Sequence, residues 1–333
     1  MPKRAGNLIE KIADPENLRI AFWKASRHKR GNVETENFRN SLDENLSKMR
    51  DEILEGSIGV GEYHYFTIFD PKERLICAAS FQERVLHHAL MNICHPVFED
   101  FQIFDSYATR LGKGQYAALE RAQKFARAHR WYCKLDVRKY FDSIRHDILL
   151  QKLEQKFKDK QVLAIFRRII SSYSSSPGKG VPIGNLTSQY FANYYLGFAD
   201  RFIKEKLKVQ AYIRYMDDMV FFGQSRKDLL RVTHLFIDFL LVELGLEVKP
   251  VCLNQLAKGI PFLGYVVFPN LLRLHKNSRK RFIEKIKQYQ VKLEKEIWDQ
   301  ARYARHVIPL IAFTEHANTV SLRRQVLCKL ETG

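Results

Sequence analysis

Two adjacent carboxylates inside an apolar, β-forming run restrict this chain more than any other feature: Tyr212-Ile-Arg-Tyr-Met-Asp-Asp-Met-Val-Phe-Phe222. Neighbouring negative charges in such surroundings are costly unless a cation neutralises them. The pattern predicts two strands flanking a tight turn at Met216-Asp217, which projects at least one of Asp217 and Asp218 toward a shared cation site. An Asp-Asp pair is also a common exposed turn, so the assignment needs support from elsewhere in the chain.

That support comes from Lys134-Leu-Asp-Val-Arg-Lys-Tyr-Phe-Asp-Ser-Ile144, where a strand delivers Asp136 at its end and a turn follows directly. Asp136 closes a candidate two-metal site with Asp217 and Asp218. Hard Mg²⁺ prefers carboxylate oxygens and substrate phosphates, and two such ions about 4 Å apart activate a primer 3′-hydroxyl and stabilise a leaving pyrophosphate. Asp142 competes with Asp136 as a ligand, although its place after the turn better suits a cap or a structural hydrogen bond.

Composition narrows the partners. Across 333 residues, 55 Lys plus Arg against 37 Asp plus Glu give a formal charge of +18, which suits a polyanion such as nucleic acid or an anionic membrane surface. No apolar run approaches the roughly 18 residues of a membrane helix, and no hydrophobic stretch backs the basic N-terminus. Cys77, Cys94, Cys133, Cys252 and Cys328 are odd in number, far apart and never in a C-x-x-C pair. A disulfide framework and a zinc site are therefore not indicated. The expectation is a soluble, unexported protein in a reducing cytoplasm, with no membrane partner.

Along the chain, Leu8, Ile12, Leu18 and Phe22, then Leu42, Leu46, Met49 and Ile53, predict helices within 7–55, separated by the basic stretch 27–30. Short strands follow at 63–69 and 75–79, joined through Asp70-Pro71-Lys72-Glu73 as a hairpin with a basic tip. Helices are expected at 81–93, 116–129, 145–157, 161–172, 187–206 and 226–244, and strands at 131–136, 247–251 and 262–267. After Pro269 the character becomes basic and helical: 273–305 holds 11 Lys or Arg against 4 acidic residues, with Phe282, Ile286, Tyr289, Leu293 and Ile297 at helical spacing. The fold class expected is α+β.

The order of these motifs resembles that of reverse transcriptases over about residues 60–270: the hairpin, the Asp136 segment, Gly180-Val-Pro-Ile-Gly-Asn-Leu-Thr-Ser-Gln189, Tyr215-Met-Asp-Asp218 and Gly259-Ile-Pro-Phe-Leu-Gly264. Within the group II intron-like superfamily, the resemblance is to the enzymes of diversity-generating retroelements. Those carry Ile-Gly-x-x-x-Ser-Gln where most relatives have Pro-Gln-Gly, and this chain has Ile183-Gly184 and Ser188-Gln189. Asp70-Pro-Lys-Glu-Arg74, Arg84-Val-Leu-His-His88 and Phe191-Ala-Asn193 look like the same subgroup.

This resemblance implies a right-hand polymerase fold with N-terminal helices and fingers at 1–130, a palm at 131–270 with a finger insertion at about 145–180, and a basic helical thumb at 271–333. It implies that two Mg²⁺ ions are bound by Asp136, Asp217 and Asp218 with help from the Val137 carbonyl. Phe141 becomes the steric gate against a 2′-hydroxyl, and Lys72 and Arg74 grip the triphosphate. Ile183, Gly184 and Gln189 lie at the nucleotide and template, and Tyr215 and Met216 at the primer terminus. Gly264 with the Gly259–Gly264 hairpin, and Lys280 and Arg281 on the thumb, would hold primer and template.

Ile183 replaces a glutamine that contacts the nascent pair, and a lost polar contact weakens discrimination. The implied activity is RNA-directed DNA polymerisation that is error-prone at template adenines, making cDNA from a template-repeat RNA to diversify a target gene. Implied partners are dNTPs, the template RNA, the cDNA/RNA duplex and a small basic oligomeric accessory variability protein, in a bacterial, archaeal or phage-encoded setting. The alternatives are a reverse transcriptase of a retron, group II intron or phage-defence system, and a non-catalytic RNA-binding module. His87 and His88 read as structural, and Lys249 as a solvated lysine rather than a general acid.

Overall fold

A computed structural model describes residues 4–29, 31–69 and 73–328. The chain divides into two compact units, one made of Met1–Thr109, Val137–Lys208 and Leu235–Lys249, the other of Arg110–Asp136, Val209–His234 and Pro250–Gly333.

In the first unit, helices Ile9–Ile12, Pro15–Ser26, Val33–Asn40 and Leu42–Glu55 realise the predicted N-terminal periodicity. The second is set locally: Asp14 accepts from the Glu16 and Asn17 backbone N–H groups, and Pro15 supplies a preformed φ at its first position. The hairpin follows as antiparallel β1 (Tyr63–Phe69) and β2 (Glu73–Ala79), in register from Tyr63↔Ala79 to Phe69↔Glu73. Helix Phe81–Glu99 runs past the expected end at 93, through Pro96, because Cys94 and Phe98 continue its buried face. Phe98 packs on Phe157, Phe166, Phe191 and Tyr194 with ring centroids 5.4, 6.3, 6.3 and 5.5 Å away. This aromatic core holds helices Lys160–Ser171 and Leu186–Arg201. The helix expected at 187–206 widens into a π-turn at Phe202–Lys206.

The second unit is built on a four-stranded antiparallel sheet of β3 (Trp131–Asp136), β4 (Tyr212–Tyr215), β5 (Asp218–Gly223) and β6 (Cys252–Gln255), ordered β4-β5-β3-β6. The strand expected at 247–251 is displaced to β6, where Lys134↔Cys252 to Trp131↔Gln255 set the register. Pro250 has no N–H to give a ladder, and Val248 makes only an isolated bridge to Val137 within the first unit. The strand expected at 262–267 is two strands of a second sheet, β7 (Ile260–Phe262) and β8 (Tyr265–Val267), followed by β9 (Leu272–Leu274).

Helix Gln115–Ala128 fastens this second sheet. Gln115 donates to the Leu263 carbonyl at 2.8 Å, Gln123 to that of Phe268 at 3.2 Å and Arg127 to that of Pro269 at 2.8 Å. Its other face meets the first sheet, with the Phe125 ring 5.3 Å from Phe222.

The basic C-terminal region forms helices Lys276–Glu294, Gln300–Glu315 and Val320–Cys328, closed over Phe282, Ile286 and Val307. The helical stripe stops before Ile297, which lies outside the helix and is exposed. No described helix is long and apolar enough to cross a membrane.

Candidate active site

The β3–β5 register places Asp136 directly opposite Asp218 at the end of the sheet. Directly opposed residues of an antiparallel pair have Cβ atoms about 4.5–5.5 Å apart, and like charges there repel. Asp217 is adjacent, in the two-residue turn between β4 and β5, whose register Tyr215↔Asp218 leaves only Met216 and Asp217 to reverse the chain. Such short loops need positive φ, and Met216 has φ 51°. For a non-glycine residue that conformation costs about 1–2 kcal/mol.

Arg214 offsets this cost. It is fully buried, a rare state for an arginine, and its guanidinium donates to the Met216 carbonyl at 3.1 Å. The carboxylates are therefore placed by β-pairing on one side and by a buried cation under the turn on the other.

Lys134 completes the site. Side chains alternate along a strand, so Lys134 shares the face of Asp136 two residues on. Its Nζ lies 2.9 Å from Asp218 Oδ1 and donates to the Pro261 carbonyl at 3.0 Å. The contact with Asp218 is one of charge on charge, for this buried Oδ1 accepts no aligned hydrogen bond. A buried carboxylate oxygen short of a hydrogen bond, beside a second carboxylate, fits a hard cation. Among the described residues no group of three or more His, Cys, Asp or Glu converges as a ready-made metal cluster.

Within the same unit, the β7–β8 register Phe262↔Tyr265 makes Leu263-Gly264 a second two-residue turn, with φ 50° and 84°. A Cβ on Gly264 would lie a tight 3.1 Å from both Phe313 and Ser278, which adds to the preference for glycine that φ sets. Lys280 and Arg281 are on helix Lys276–Glu294, Lys280 exposed and 3.7 Å from Glu284 in an ion pair, Arg281 half-buried. Tyr215 and Met216 are half-buried at the turn.

The remaining predicted residues belong to the first unit. Val137 is buried, and Phe141 is half-buried in helix Tyr140–Ser143 with its ring edge-on to Tyr140. Arg74 is exposed on β2, while Lys72 lies outside the described residues. The Ile183 carbonyl accepts from the Cys77 N–H at 2.8 Å, joining the Ile183-Gly184 loop to β2. Gly184 has φ 119°, and a Cβ there would stand 3.2 Å from the Cys77 carbonyl oxygen. Gln189 Oε1 accepts from Thr109 at 3.5 Å.

Burial pushes the Asp142 carboxyl above its usual range, and its backbone carbonyl accepts from Ser175. Burial, with Lys24 next in effect, lowers His88 to about 4, so that imidazole is neutral near pH 7. His87 is buried 3.3 Å from Glu83.

Lys134 and Arg214 were both visible inside the quoted motifs, yet sequence reasoning gave neither a role. Period-2 spacing from Asp136 signals Lys134, and a lone arginine within an apolar strand signals Arg214.

A family model described as reverse transcriptase (RNA-dependent DNA polymerase) matches residues 70–267. Protein YkfC of Escherichia coli is 24% identical over 68% of this chain and 61% of its own length. The group II intron-encoded protein LtrA of Lactococcus lactis is 28% identical over 40% of this chain and 23% of its own. An uncharacterised 91 kDa protein in the cob intron of Schizosaccharomyces pombe is 28% identical over 43% of this chain and 17% of its own. The chain thus spans less than two thirds of each of these curated relatives. Among solved structures, apo telomerase from Candida tropicalis superimposes with a TM-score of 0.52 at 12% identity, covering 85% of this chain and 63% of that one. That likeness shows the fold alone.

Proposed function

Because the chain belongs to the reverse transcriptase (RNA-dependent DNA polymerase) family and has the right-hand polymerase fold, we propose that it copies RNA into DNA, and that it does so as the polymerase of a diversity-generating retroelement. The observation that carries the first part is Asp218, opposed by Asp136 across β3 and β5 and preceded by Asp217, with a buried oxygen lacking an aligned hydrogen bond. Ile183-Gly184 with Ser188-Gln189 supports the second. The relatives named for introns favour a second reading, a reverse transcriptase of group II intron type.

In this reading Asp136, Asp217 and Asp218 hold Mg²⁺, with the Val137 carbonyl assisting. Bound by these residues, the metal would supply positive charge for activating a primer 3′-hydroxyl and for stabilising a departing pyrophosphate. The protein itself orients. Arg214 fixes the turn that presents Asp217 and Asp218, and the Gly264 turn, Tyr215 and Met216 are proposed to contact the primer strand. Arg74 and Lys72 are proposed as the triphosphate-binding residues, and Gly184 and Gln189 as residues that recognise the nascent pair. Phe141 is the residue proposed as the steric gate against a 2′-hydroxyl. Sequence is read by base pairing, so the basic helices bearing Lys280 and Arg281 need only track backbone.

The functional division proposed is fingers to about residue 130, palm to 270 and thumb beyond. The proposed partners are dNTPs, template RNA, the cDNA/RNA duplex and a small basic oligomeric accessory protein, in the cytoplasm of a bacterial, archaeal or phage-bearing host.

The test is primer extension on an RNA template with Mg²⁺ and four dNTPs, the product sequenced base by base. Errors clustered at template adenines are expected. Accurate extension favours the intron reading, and inactivity that persists with accessory protein and native RNA favours a binding module. Ile183→Gln restores a polar contact worth about 1 kcal/mol, and errors opposite template adenine should fall roughly fivefold. An unchanged error spectrum assigns infidelity to other residues.

A further inference from the structure

Lys134 has a place in the site that metal coordination by the carboxylates does not explain. Resting on the reading of Asp136, Asp217 and Asp218 as metal-binding groups, we propose that Lys134 is an internal counter-cation for Asp218, which a divalent metal must displace, releasing the Pro261 carbonyl of β7 as it does so.

The register makes the contact a designed reach rather than an accident of proximity. Lys134 is opposite Val220 and Asp136 is opposite Asp218, so the ammonium crosses the sheet diagonally to the carboxylate. Diagonal neighbours in antiparallel strands are about 7–8 Å apart, within reach of a four-carbon stem. At its end the ammonium has two oxygen partners, Asp218 Oδ1 at 2.9 Å and the Pro261 carbonyl at 3.0 Å. The Phe262 ring lies 6.0 Å from the same Nζ, a cation–π distance. The pair is partly desolvated, with side chains 21% and 28% exposed, so screening by water is incomplete.

Two opposed carboxylates repel when no metal is bound. The Lys134 ammonium on Asp218 relieves part of that repulsion and helps the sheet close before metal arrives. A divalent ion on the same oxygen repels the ammonium, so the two cannot share Oδ1. Metal affinity is then lower than the carboxylates alone would give. Because Lys134 also holds β7, occupancy of the metal site is linked to the hairpin that turns at Leu263-Gly264.

The experiment uses the full chain without nucleic acid, and reads Mn²⁺ binding by electron paramagnetic resonance beside thermal unfolding in chelator and in Mn²⁺. Lys134→Met and Lys134→Gln should each bind Mn²⁺ about tenfold more tightly than the parent. Both should unfold earlier in chelator and gain more from Mn²⁺ than the parent gains. Lys134→Gln keeps a donor for the Pro261 carbonyl, so an effect common to both variants belongs to the charge.

Equal or weaker Mn²⁺ binding in both variants overturns the proposal. So does a Lys134→Gln chain that stays unfolded with Mn²⁺ present, since the lysine is then purely structural, whereas one that folds only with Mn²⁺ supports it. Asp218→Asn separates the two readings. If it binds Mn²⁺ as well as the parent, the carboxylate assignment itself fails; if it loses Mn²⁺ while the Lys134 variants match the parent, only the counter-cation fails.

Discussion

Asp218→Asn is expected to lower primer extension on RNA by about a thousandfold or more, with the fold retained. The amide has nearly the shape of the carboxylate, so β5 keeps its pairing with β3 and β4. What changes is charge. Stabilisation of transferring phosphate by a bound metal is worth several kcal/mol, and each 1.36 kcal/mol is tenfold in rate. Stability in chelator should move little, because the variant loses repulsion from Asp136 and attraction to Lys134 together. Single-turnover extension by the purified variant, beside its melting curve, checks both halves. Extension within tenfold of the parent would reject Asp218 as a metal ligand, and a collapsed melting curve would give it a structural role instead.

Arg214→Met comes next in expected size. The substitution keeps an unbranched apolar stem in a fully buried position but removes the donor to the Met216 carbonyl. A fully buried acceptor left unsatisfied costs about 1–3 kcal/mol, and the carbonyl of half-buried Met216 falls toward the lower end. The larger consequence is geometric, since the Met216 turn at φ 51° loses a contact that holds it and Asp217 and Asp218 lose their placement. A displacement near 1 Å at a reacting centre costs about a hundredfold in rate. Extension should fall by about that factor, with Mn²⁺ binding weakened in parallel. Arg214→Lys should recover part of both, because an ammonium can still donate to one carbonyl. A variant that melts earlier yet extends normally would confine Arg214 to packing.

The local elements were legible because their signals are local. Strand β3 coincides with the β run expected at 131–136, the strands around Met216-Asp217 were found from one apolar run, and helix Arg226–Leu244 coincides with the helix expected at 226–244. The failures fall where pairing decides. The segment 247–251 is β-forming in composition, yet the strand forms at Cys252–Gln255, whose residues gain a ladder only because Trp131 to Lys134 lie beside them. The 262–267 run has no break in hydrophobicity, and its division follows from a turn at Leu263-Gly264 whose backbone is confirmed only once β7 and β8 pair. In helix 81–99, the apolar face outweighs Pro96, a residue that taken alone argues for an earlier end.

The sequence by itself determined that Asp217 and Asp218 sit at a turn between apolar strands, that Asp136 ends another strand, and that the chain carries a large positive charge. Those properties depend on residue type and spacing along a few positions of chain. Only the tertiary structure decided that Asp136 faces Asp218, that Arg214 is buried beneath the turn, and that Lys134 reaches both Asp218 and the Pro261 carbonyl. Apart from the Arg214 contact, these join residues some 80 to 130 positions apart, and a register shift of one residue would turn Lys134 and Asp136 to the opposite face. Burial then sets the strength of each charge contact, and burial is a property of the packed unit, which no short stretch of sequence contains.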